Sequence, residues 1–366
     1  MSEFSSLDFQ MMSRAIALAK GGIYTTPPNP NVGCVITLND HIIGEGFHYR
    51  AGEPHAEVNA LVMAGNKAAG ATVYVTLEPC SHYGRTPPCA AALIQAKVAK
   101  VICAMEDPNP KVAGIKMLRE AGIEVQVGLL KSDAQALNPA FIKRMKTGLP
   151  FVQLKMAASL DGQTALSNGQ SQWITSTQAR SDVQRYRAQS DAILSTSKTV
   201  IDDNASLNVR WVELPESVRN ELSECEVRQP KRVILDRQNN LTPELKLFST
   251  EGMRIVVSDQ GDIQPQLTNS GLIDLKTTFA DLASNFGINH LWVEAGSTLA
   301  SSLIKQGLVD ELVLYLSPKI MGSDGRGLLG ALGLQSMEDV VELDIQNIRQ
   351  IGPDIRIIAH VKTKNK

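Results

Sequence analysis

Three residues and their spacing restrict this chain more than anything else in it: His55, Cys80 and Cys89. His55 opens the run His55-Ala56-Glu57, Cys80 follows Pro79, and eight residues separate Cys80 from Cys89. One histidine and two cysteines can hold a zinc ion and leave its fourth position open to water, which distinguishes a catalytic zinc from a structural one. Glu57 begins an apolar helical pattern through Val58, Ala60, Leu61 and Ala64. Pro79-Cys80 follows a strand-like run, Ala71 to Leu77, and Cys89 opens a second apolar helix through Ala90, Leu93, Ile94 and Ala96. A fold that brings two helix starts to the end of one strand can hold a metal there. The plainer reading is a chance His-x-Glu with two buried cysteines, which pack well as small hydrophobes. A closed structural site would need a fourth protein ligand, and His82 is the nearby candidate.

A length of 366 residues suggests two domains. With 43% hydrophobic and 20% charged residues, the composition is that of a globular protein. A net charge of −2 and 5% aromatics leave no basic footprint for nucleic acid. No apolar run approaches the ~18 residues that span a bilayer, and Met1-Ser2-Glu3-Phe4 lacks the layout of a signal peptide. Beyond the candidate ligands there remain Cys34, Cys103 and Cys225, an odd set without framework spacing. A reducing cytoplasm fits that usage.

Both parts of the chain alternate helix and strand patterns, which predicts an α/β fold. In the first part, helices are expected over Met11–Lys20, Ile115–Ala121 and Ala134–Lys146. Strands are expected at Gly33–Leu38, Ile42–Phe47, Ala71–Leu77, Val98–Met105 and Glu124–Val127, forming a three-layer sandwich. A boundary falls near Thr147-Gly148-Leu149-Pro150, giving domains of 1–148 and 149–366. In the second part, strands are expected at Phe151–Ala157, Ala192–Ser195, Lys231–Asp236, Arg254–Val257, His290–Glu294, Glu311–Ser317 and Arg356–Val361. Helices are expected at Thr177–Ala188, Phe279–Phe286 and Thr298–Gln306. Trp211–Gln229, charged and poorly periodic, reads as a surface excursion.

An open zinc site makes hydroxide available near neutral pH, because bound water titrates at about 7. Attack on an amidine carbon of a pyrimidine ring would be hydrolytic deamination. A glutamate two residues after the histidine ligand then serves as proton shuttle rather than ligand.

The stretch from Thr76-Leu77-Glu78-Pro79-Cys80 to Thr86-Pro87-Pro88-Cys89 resembles the deaminase half of the bifunctional riboflavin-biosynthesis deaminase–reductase family. Pro28–Gly33, Gly52–Glu57 and Asp107-Pro108-Asn109-Pro110 are similar to it as well. Lys155–Gly162, Gln172–Ser176 and Trp292-Val293-Glu294-Ala295-Gly296 resemble the reductase half. The resemblance implies a cytidine-deaminase-like α/β/α domain followed by a dihydrofolate-reductase-like domain. It implies zinc and NADPH as cofactors, phosphoribosyl pyrimidines as small-molecule substrates, and a homo-oligomer. The implied reactions are deamination of a phosphoribosylated diaminopyrimidinone and reduction of its ribosyl group to ribityl.

Carried over position by position, the resemblance makes His55, Cys80 and Cys89 the zinc ligands and Glu57 the proton donor. Asn29, His48, His82 and Arg85 fall around the pyrimidine and its phosphate, where an amide edge and a guanidinium fork suit those groups. In the reductase half it places the cofactor against Ala157, Trp173, Thr199, Asp203 and the turn Gly296-Ser297-Thr298-Leu299. It places the substrate against Ser171, Arg187, Arg210 and Glu294. Arg187 and Arg210 suit the substrate phosphate, or either is a surface ion pair. Lys155 and Asp161 match strongly patterned family positions near the substrate, with a structural ion pair as the alternative for each.

From the residues alone the second half would yield less. Gly44-Glu45-Gly46 lacks the third glycine of a dinucleotide fingerprint. Glu294-Ala295-Gly296-Ser297-Thr298 is the better signal, since small residues at a strand-to-helix turn let backbone N–H groups meet a phosphate. Ala205 and Asn208 replace a proline and a threonine usual in such chains, and the loop after Val112-Ala113-Gly114 is about two residues short. Arg237, after a strand, is expected to grip the cofactor's ribose phosphate, or to be an exposed charge. Two other readings are a lone cytidine- or guanine-type deaminase with a regulatory domain, and a nucleic-acid deaminase. The strand-rich second half opposes the former and the charge balance the latter.

Overall fold

The computed structural model describes residues 4–81 and 87–362. The chain divides into two compact units, Met1–Gly148 and Leu149–Lys366.

The first unit runs α1 (Ser6–Ala19), β1 (Gly33–Leu38), β2 (His41–Phe47), α2 (Ala56–Ala64), β3 (Thr72–Val75), α3 (Cys89–Gln95), β4 (Lys100–Cys103), α4 (Gly114–Glu120), β5 (Glu124–Val127), α5 (Lys131–Leu137) and α6 (Pro139–Thr147). Its five strands lie in the order β2-β1-β3-β4-β5. The β2–β1 and β1–β3 pairs are antiparallel, and the remaining two are parallel. Gly33 pairs with Phe47 and Cys34 with Gly46, so Gly33 and Gly46 look out from opposite faces. A Cβ at Gly33 would strike Ala15 of α1, and one at Gly46 would strike Ala56 of α2. The two helices therefore cover opposite faces, and the layers are helix, sheet, helix. Gly44 likewise abuts the Ala60 carbonyl, so the Gly44-Glu45-Gly46 run is a helix-docking groove rather than a nucleotide loop.

Two helices differ from the sequence expectation. Helix α1 starts at Ser6, not Met11, because Ser5 and Asp8 form a reciprocal capping box. The expected helix over 134–146 is two helices, split where Pro139 takes the first position of α6 and cannot continue α5. Helix α6 ends at Gly148, which adopts φ 73°.

The second unit runs β6 (Phe151–Ser159), β7 (Gln163–Ala165), α7 (Thr177–Gln189), β8 (Ala192–Thr196), α8 (Ser197–Asp203), α9 (Glu216–Arg219), β9 (Lys231–Leu235), α10 (Lys246–Ser249), β10 (Arg254–Val257), α11 (Leu275–Phe286), β11 (His290–Glu294), α12 (Ser297–Lys305), β12 (Glu311–Ser317), β13 (Arg326–Gly327), β14 (Leu343–Ile351) and β15 (Asp354–Val361). Eight strands form one sheet in the order β10-β9-β8-β11-β6-β12-β15-β14, and β13 pairs separately with β7. Pairing is parallel from β10 to β12 and antiparallel at β12–β15 and β15–β14. One face packs Val152, Leu154, Leu291 and Val293 against Phe279, Leu282 and Leu303 of α11 and α12. The other packs Trp292, Val313 and Tyr315 against Val183 and Tyr186 of α7. Asp182 of α7 accepts from the Tyr315 hydroxyl at 2.7 Å and from Arg356 at 2.8 Å, which locks that helix to the sheet.

The expected surface excursion over 211–229 is partly a packed segment. Leu214, Val218 and Leu222 are buried, and the Trp211 indole donates to the Leu222 carbonyl at 2.9 Å. Strand β14 was not foreseen. All but its last residue are exposed, so burial does not mark its alternation, and a register shift between Ile345 and Asn347 breaks the period of its apolar face.

Candidate active sites

In the first unit, His55 is the residue immediately before α2, Glu57 lies in that helix's first turn, and Cys89 is the first residue of α3. Cys80 follows the end of β3 by a short turn. His55 Nδ1 lies 3.2 Å from Cys89 Sγ and 3.6 Å from Cys80 Sγ, and all three ligand atoms fall within 4.8 Å of one another. Corners of a tetrahedron around a zinc ion with bonds of about 2.0–2.3 Å are roughly 3.3–3.8 Å apart, so the donor set fits the ion by spacing and chemistry. Among the described residues no fourth histidine, cysteine or carboxylate joins the cluster. His82, the candidate closing ligand, lies outside them, as does Arg85.

The electrostatics follow from the crowding of these groups. Cys80 is drawn down to about 4 by the hydrogen bond from the Cys89 thiol and by His55, while Cys89 is held well above its ordinary value by that same bond and by burial. One proton is thus shared between two thiols, and a divalent cation would take both as thiolates. Burial pushes the Glu57 carboxyl up to about 7. A carboxyl near neutrality can both take and return a proton at neutral pH. Cys34 and Cys103 are buried in the strands, and burial raises both thiols.

Asn29 and His48 are brought together. Asn29 Nδ2 lies 3.0 Å from His48 Nε2, and His48 Nδ1 lies 3.2 Å from the Pro54 carbonyl. The carbonyl calls for a proton on Nδ1, which leaves Nε2 to accept from the amide. Burial lowers the His48 pKa, in keeping with a neutral ring. The His48 ring meets the His55 ring edge to face at 4.9 Å, linking the asparagine to the metal ligand.

One contact not foreseen from sequence is Glu78. Its carboxylate accepts from Asp107 N at 3.1 Å and Ile115 N at 2.9 Å, and Ser81 Oγ accepts from Ala113 N at 2.9 Å. These bonds fasten the Asp107–Gly114 loop to the turn that carries Cys80. A buried acid two residues before a ligand was the available signal.

In the second unit, Glu294 is the last residue of β11 and Lys155 stands opposite it on β6. Glu294 lies at the carboxyl end of a parallel strand, where open α/β sheets bind ligands, with Lys155 beside it at the middle of β6. Arg187 of α7 reaches Glu294 through two bonds, Nε to Oε1 at 2.6 Å and Nη2 to Oε2 at 2.9 Å. Arg187 Nη1 also donates to the Asn208 carbonyl at 3.0 Å. The Glu294 carboxyl is held down to about 2: burial opposes ionisation, but Arg187 and Lys155 outweigh it. Burial lowers the Lys155 ammonium.

Both arginines form ion pairs, but of the two only that of Arg210 is the surface pair of the alternative reading; that of Arg187 is buried. Arg187 is buried against Glu294, and Arg210 holds the half-exposed Glu213 at 2.6 and 2.7 Å. Asp161 does not pair with Lys155. It accepts from Ser159 Oγ and from the backbone N–H groups of Met321 and Gly322, so it shapes a turn.

The turn after Glu294 suits a phosphate. Gly296 caps α12 without a side-chain hydrogen bond among the described residues, and a Cβ there would meet nothing within 4 Å. Its φ of −72° is open to any residue, so the fold itself does not require glycine there. Ser297 and Thr298 offer N–H groups at the helix start. Leu299 is buried in the core, which limits it to backbone contact. Trp173 is 65% exposed, with the Arg180 guanidinium 4.5 Å over its ring and Lys319 donating to its carbonyl at 2.7 Å. Ser171 is exposed nearby in sequence, and Gln172 reaches Asp203 at 3.4 Å. Thr199 sits in the first turn of α8, its hydroxyl 3.1 Å from that of Thr196, and Ala157 packs in register with Tyr315. Arg237 is exposed and donates to the Gly271 carbonyl.

Comparison with known proteins covers both units. Residues 150–357 match the profile of the RibD C-terminal domain, and residues 5–105 match that of the cytidine and deoxycytidylate deaminase zinc-binding region. The chain is 52% identical to the riboflavin biosynthesis protein RibD of Haemophilus influenzae over 365 residues, covering 98% of each. It is 51% identical to that of Escherichia coli K12, covering 95% of this chain and 98% of the other. The solved structure of Acinetobacter baumannii RibD superposes with a TM-score of 0.89 at 43% identity, covering 98% of this chain and 99% of that one. A deaminase/reductase from Thermotoga maritima gives 0.82 at 32% identity, covering 97% and 99%.

Proposed function

The chain belongs to the RibD family, and from that premise we propose how its residues divide the work. It is a bifunctional deaminase and reductase of riboflavin biosynthesis, using zinc and NADPH. The Thermotoga maritima relative is described as a diaminohydroxyphosphoribosylaminopyrimidine deaminase and 5-amino-6-(5-phosphoribosylamino)uracil reductase. We assign the same substrates to this chain, the first reaction to residues 1–148 and the second to residues 149–366.

The observation that carries the deaminase assignment is a three-ligand set beside a buried acid near neutrality. His55, Cys80 and Cys89 would hold zinc, whose Lewis acidity would make water a nucleophile near neutral pH. Glu57 would take a proton from the attacking water and return it to the departing ammonia. Asn29, oriented by His48, presents its amide to the pyrimidinone. His82 and Arg85 are assigned to the substrate and its phosphate.

NADPH supplies the hydride of the second reaction. The Gly296–Leu299 turn receives a cofactor phosphate, with Ala157, Trp173, Thr199 and Asp203 around the rest of the molecule. Arg237 is assigned to the ribose phosphate that separates NADPH from NADH. Glu294 accepts from the sugar of the pyrimidine. Arg187, Lys155, Ser171 and Arg210 line its approach, and Asp161 shapes the adjoining turn.

A homo-oligomer is inferred from β14. Leu343, Ile345 and Ile348 lie on one face at 43, 55 and 62% exposure, cross-strand from Val361, Ala359 and Ile357. Such an apolar strand at a sheet edge calls for a partner surface. Among the described residues no helix is long and apolar enough to cross a membrane. We infer a reducing cytoplasm, a compartment in which free cysteines such as these persist.

Incubation with the diaminopyrimidinone ribotide, with and without NADPH, tests the function. Product masses should show exchange of an amino group for oxygen without NADPH, and further gain of a hydride and a proton with it. Reduction without prior deamination would overturn the order of steps.

A further inference from the structure

We propose that Trp292 is a positioning residue for Glu294, fixing which carboxylate oxygen faces the ligand of the reductase site. This rests on the reading of Glu294 as a substrate contact. The two residues lie two apart on β11, so their side chains leave the sheet on the same face. The indole Nε1–H of Trp292 donates to Glu294 Oε1 at 2.8 Å. Arg187 Nε donates to that same oxygen at 2.6 Å, while among the described residues only Arg187 Nη2 reaches Oε2.

An ionised carboxylate offers about four lone-pair sites, two on each oxygen. Oε1 has both of its sites filled by Trp292 and Arg187. Oε2 retains one. The side chain of Glu294 keeps 14% of its surface accessible, so the residue is not sealed from a small molecule. One acceptor position, on one oxygen, is what the protein presents.

Trp292 is itself immobile. It is fully buried, and its ring stacks on Tyr186 with centroids 4.8 Å apart and planes within 5°. Tyr186 precedes Arg187 on α7. The stack and the ion pair therefore join the same two elements side by side. If the carboxylate swung away, the indole donor would be left buried and unpaired, which is costly. Tryptophan supplies two things at this position: apolar volume for the core, and a donor that a phenylalanine would lack.

The test is a double-mutant cycle on the full chain, with Trp292→Phe, Glu294→Gln and the pair. Trp292→Phe keeps most of the stack and removes the donor. We expect it to lower kcat/KM for reduction about ten- to 150-fold, the scale of a lost hydrogen bond to a charged group. The KM for NADPH should stay within about twofold. Deamination, which belongs to the other unit, should be unchanged, and a cooperative urea transition of the second unit reports on correct folding there. In the Glu294→Gln background the same substitution should add little, because Trp292 acts through that carboxylate. Equal losses in both backgrounds would overturn the positioning role and leave the Glu294 reading intact. An unchanged rate of reduction in Glu294→Gln would overturn the reading and the positioning role together. A second measurement does not depend on the Phe variant folding. The chain has three tryptophans, so 15N-indole labelling yields a simple spectrum. One indole N–H should resist exchange in the unaltered chain and shift and lose protection in Glu294→Gln. Three unperturbed signals would overturn the proposal.

Discussion

Arg187 and Glu294 meet through two parallel hydrogen bonds in a setting where 11 and 14% of their side chains remain accessible. Such a pair is bidentate, directional and costly to break from one side. Glu294→Gln leaves the Arg187 charge uncompensated, and the reductase unit should lose about 3–5 kcal/mol of stability. Below the resulting melting temperature, reduction should fall with a raised KM for the pyrimidine, while deamination holds. A raised KM for NADPH alone would put Glu294 on the cofactor's side of the turn.

The same pair sets an acid limit. The folded Glu294 carboxyl titrates at about 2, below its ordinary value of 4.5. A depressed carboxyl contributes stability that is complete above the ordinary value and disappears as pH falls through the folded one. Urea unfolding of the second unit should therefore weaken between pH 4.5 and 2, and Glu294→Gln should flatten that slope. An identical slope in the variant would assign the acid sensitivity elsewhere.

Cys89→Ser should remove the metal and abolish deamination. Zinc content and deaminase rate should fall together, with reduction of the deaminated substrate retained. Full deamination by zinc-free Cys89→Ser protein would refute the ligand set.

Glu57→Gln separates proton transfer from metal binding. Zinc should remain stoichiometric, and deamination should fall by roughly 10²–10⁴-fold, the scale of a general acid–base group. Loss of zinc from this variant would make Glu57 a support of the metal.

Gly296→Val probes the phosphate turn. The backbone there suits any residue and the space is open, so the fold should tolerate the change. A valine side chain would stand where a phosphate approaches the helix start. The KM for NADPH should rise more than that for the pyrimidine.

What was legible in the sequence was local. The chemistry of His55, Cys80 and Cys89 could be read from residue type and spacing, and the helix starts that join them from short apolar patterns. Strands such as Gly33–Leu38 and Glu311–Ser317 were readable to the residue because burial imposed β-rich patterns on them. Strand β14 escaped because its sides are exposed to water alike. The Arg187–Glu294 pair escaped because its partners are 107 residues apart and only the sheet order joins them. The Ser5–Asp8 capping box lies upstream of the apolar pattern that begins at Met11, so that pattern alone misses the first turn of α1.

The order of strands also dictates when each sheet can be completed during synthesis. All five strands of the first unit come from residues 33 to 127, so that sheet can close soon after its last strand leaves the ribosome. Strand β6 has no such option. Its two neighbours, β11 and β12, lie at residues 290–294 and 311–317, so it must wait for well over a hundred more residues. Non-local pairing of this kind is slow to form and leaves apolar edges exposed meanwhile. The zinc unit should be protease-resistant on stalled nascent chains before the reductase unit has a core, and the reductase unit should be the one that leans on chaperones.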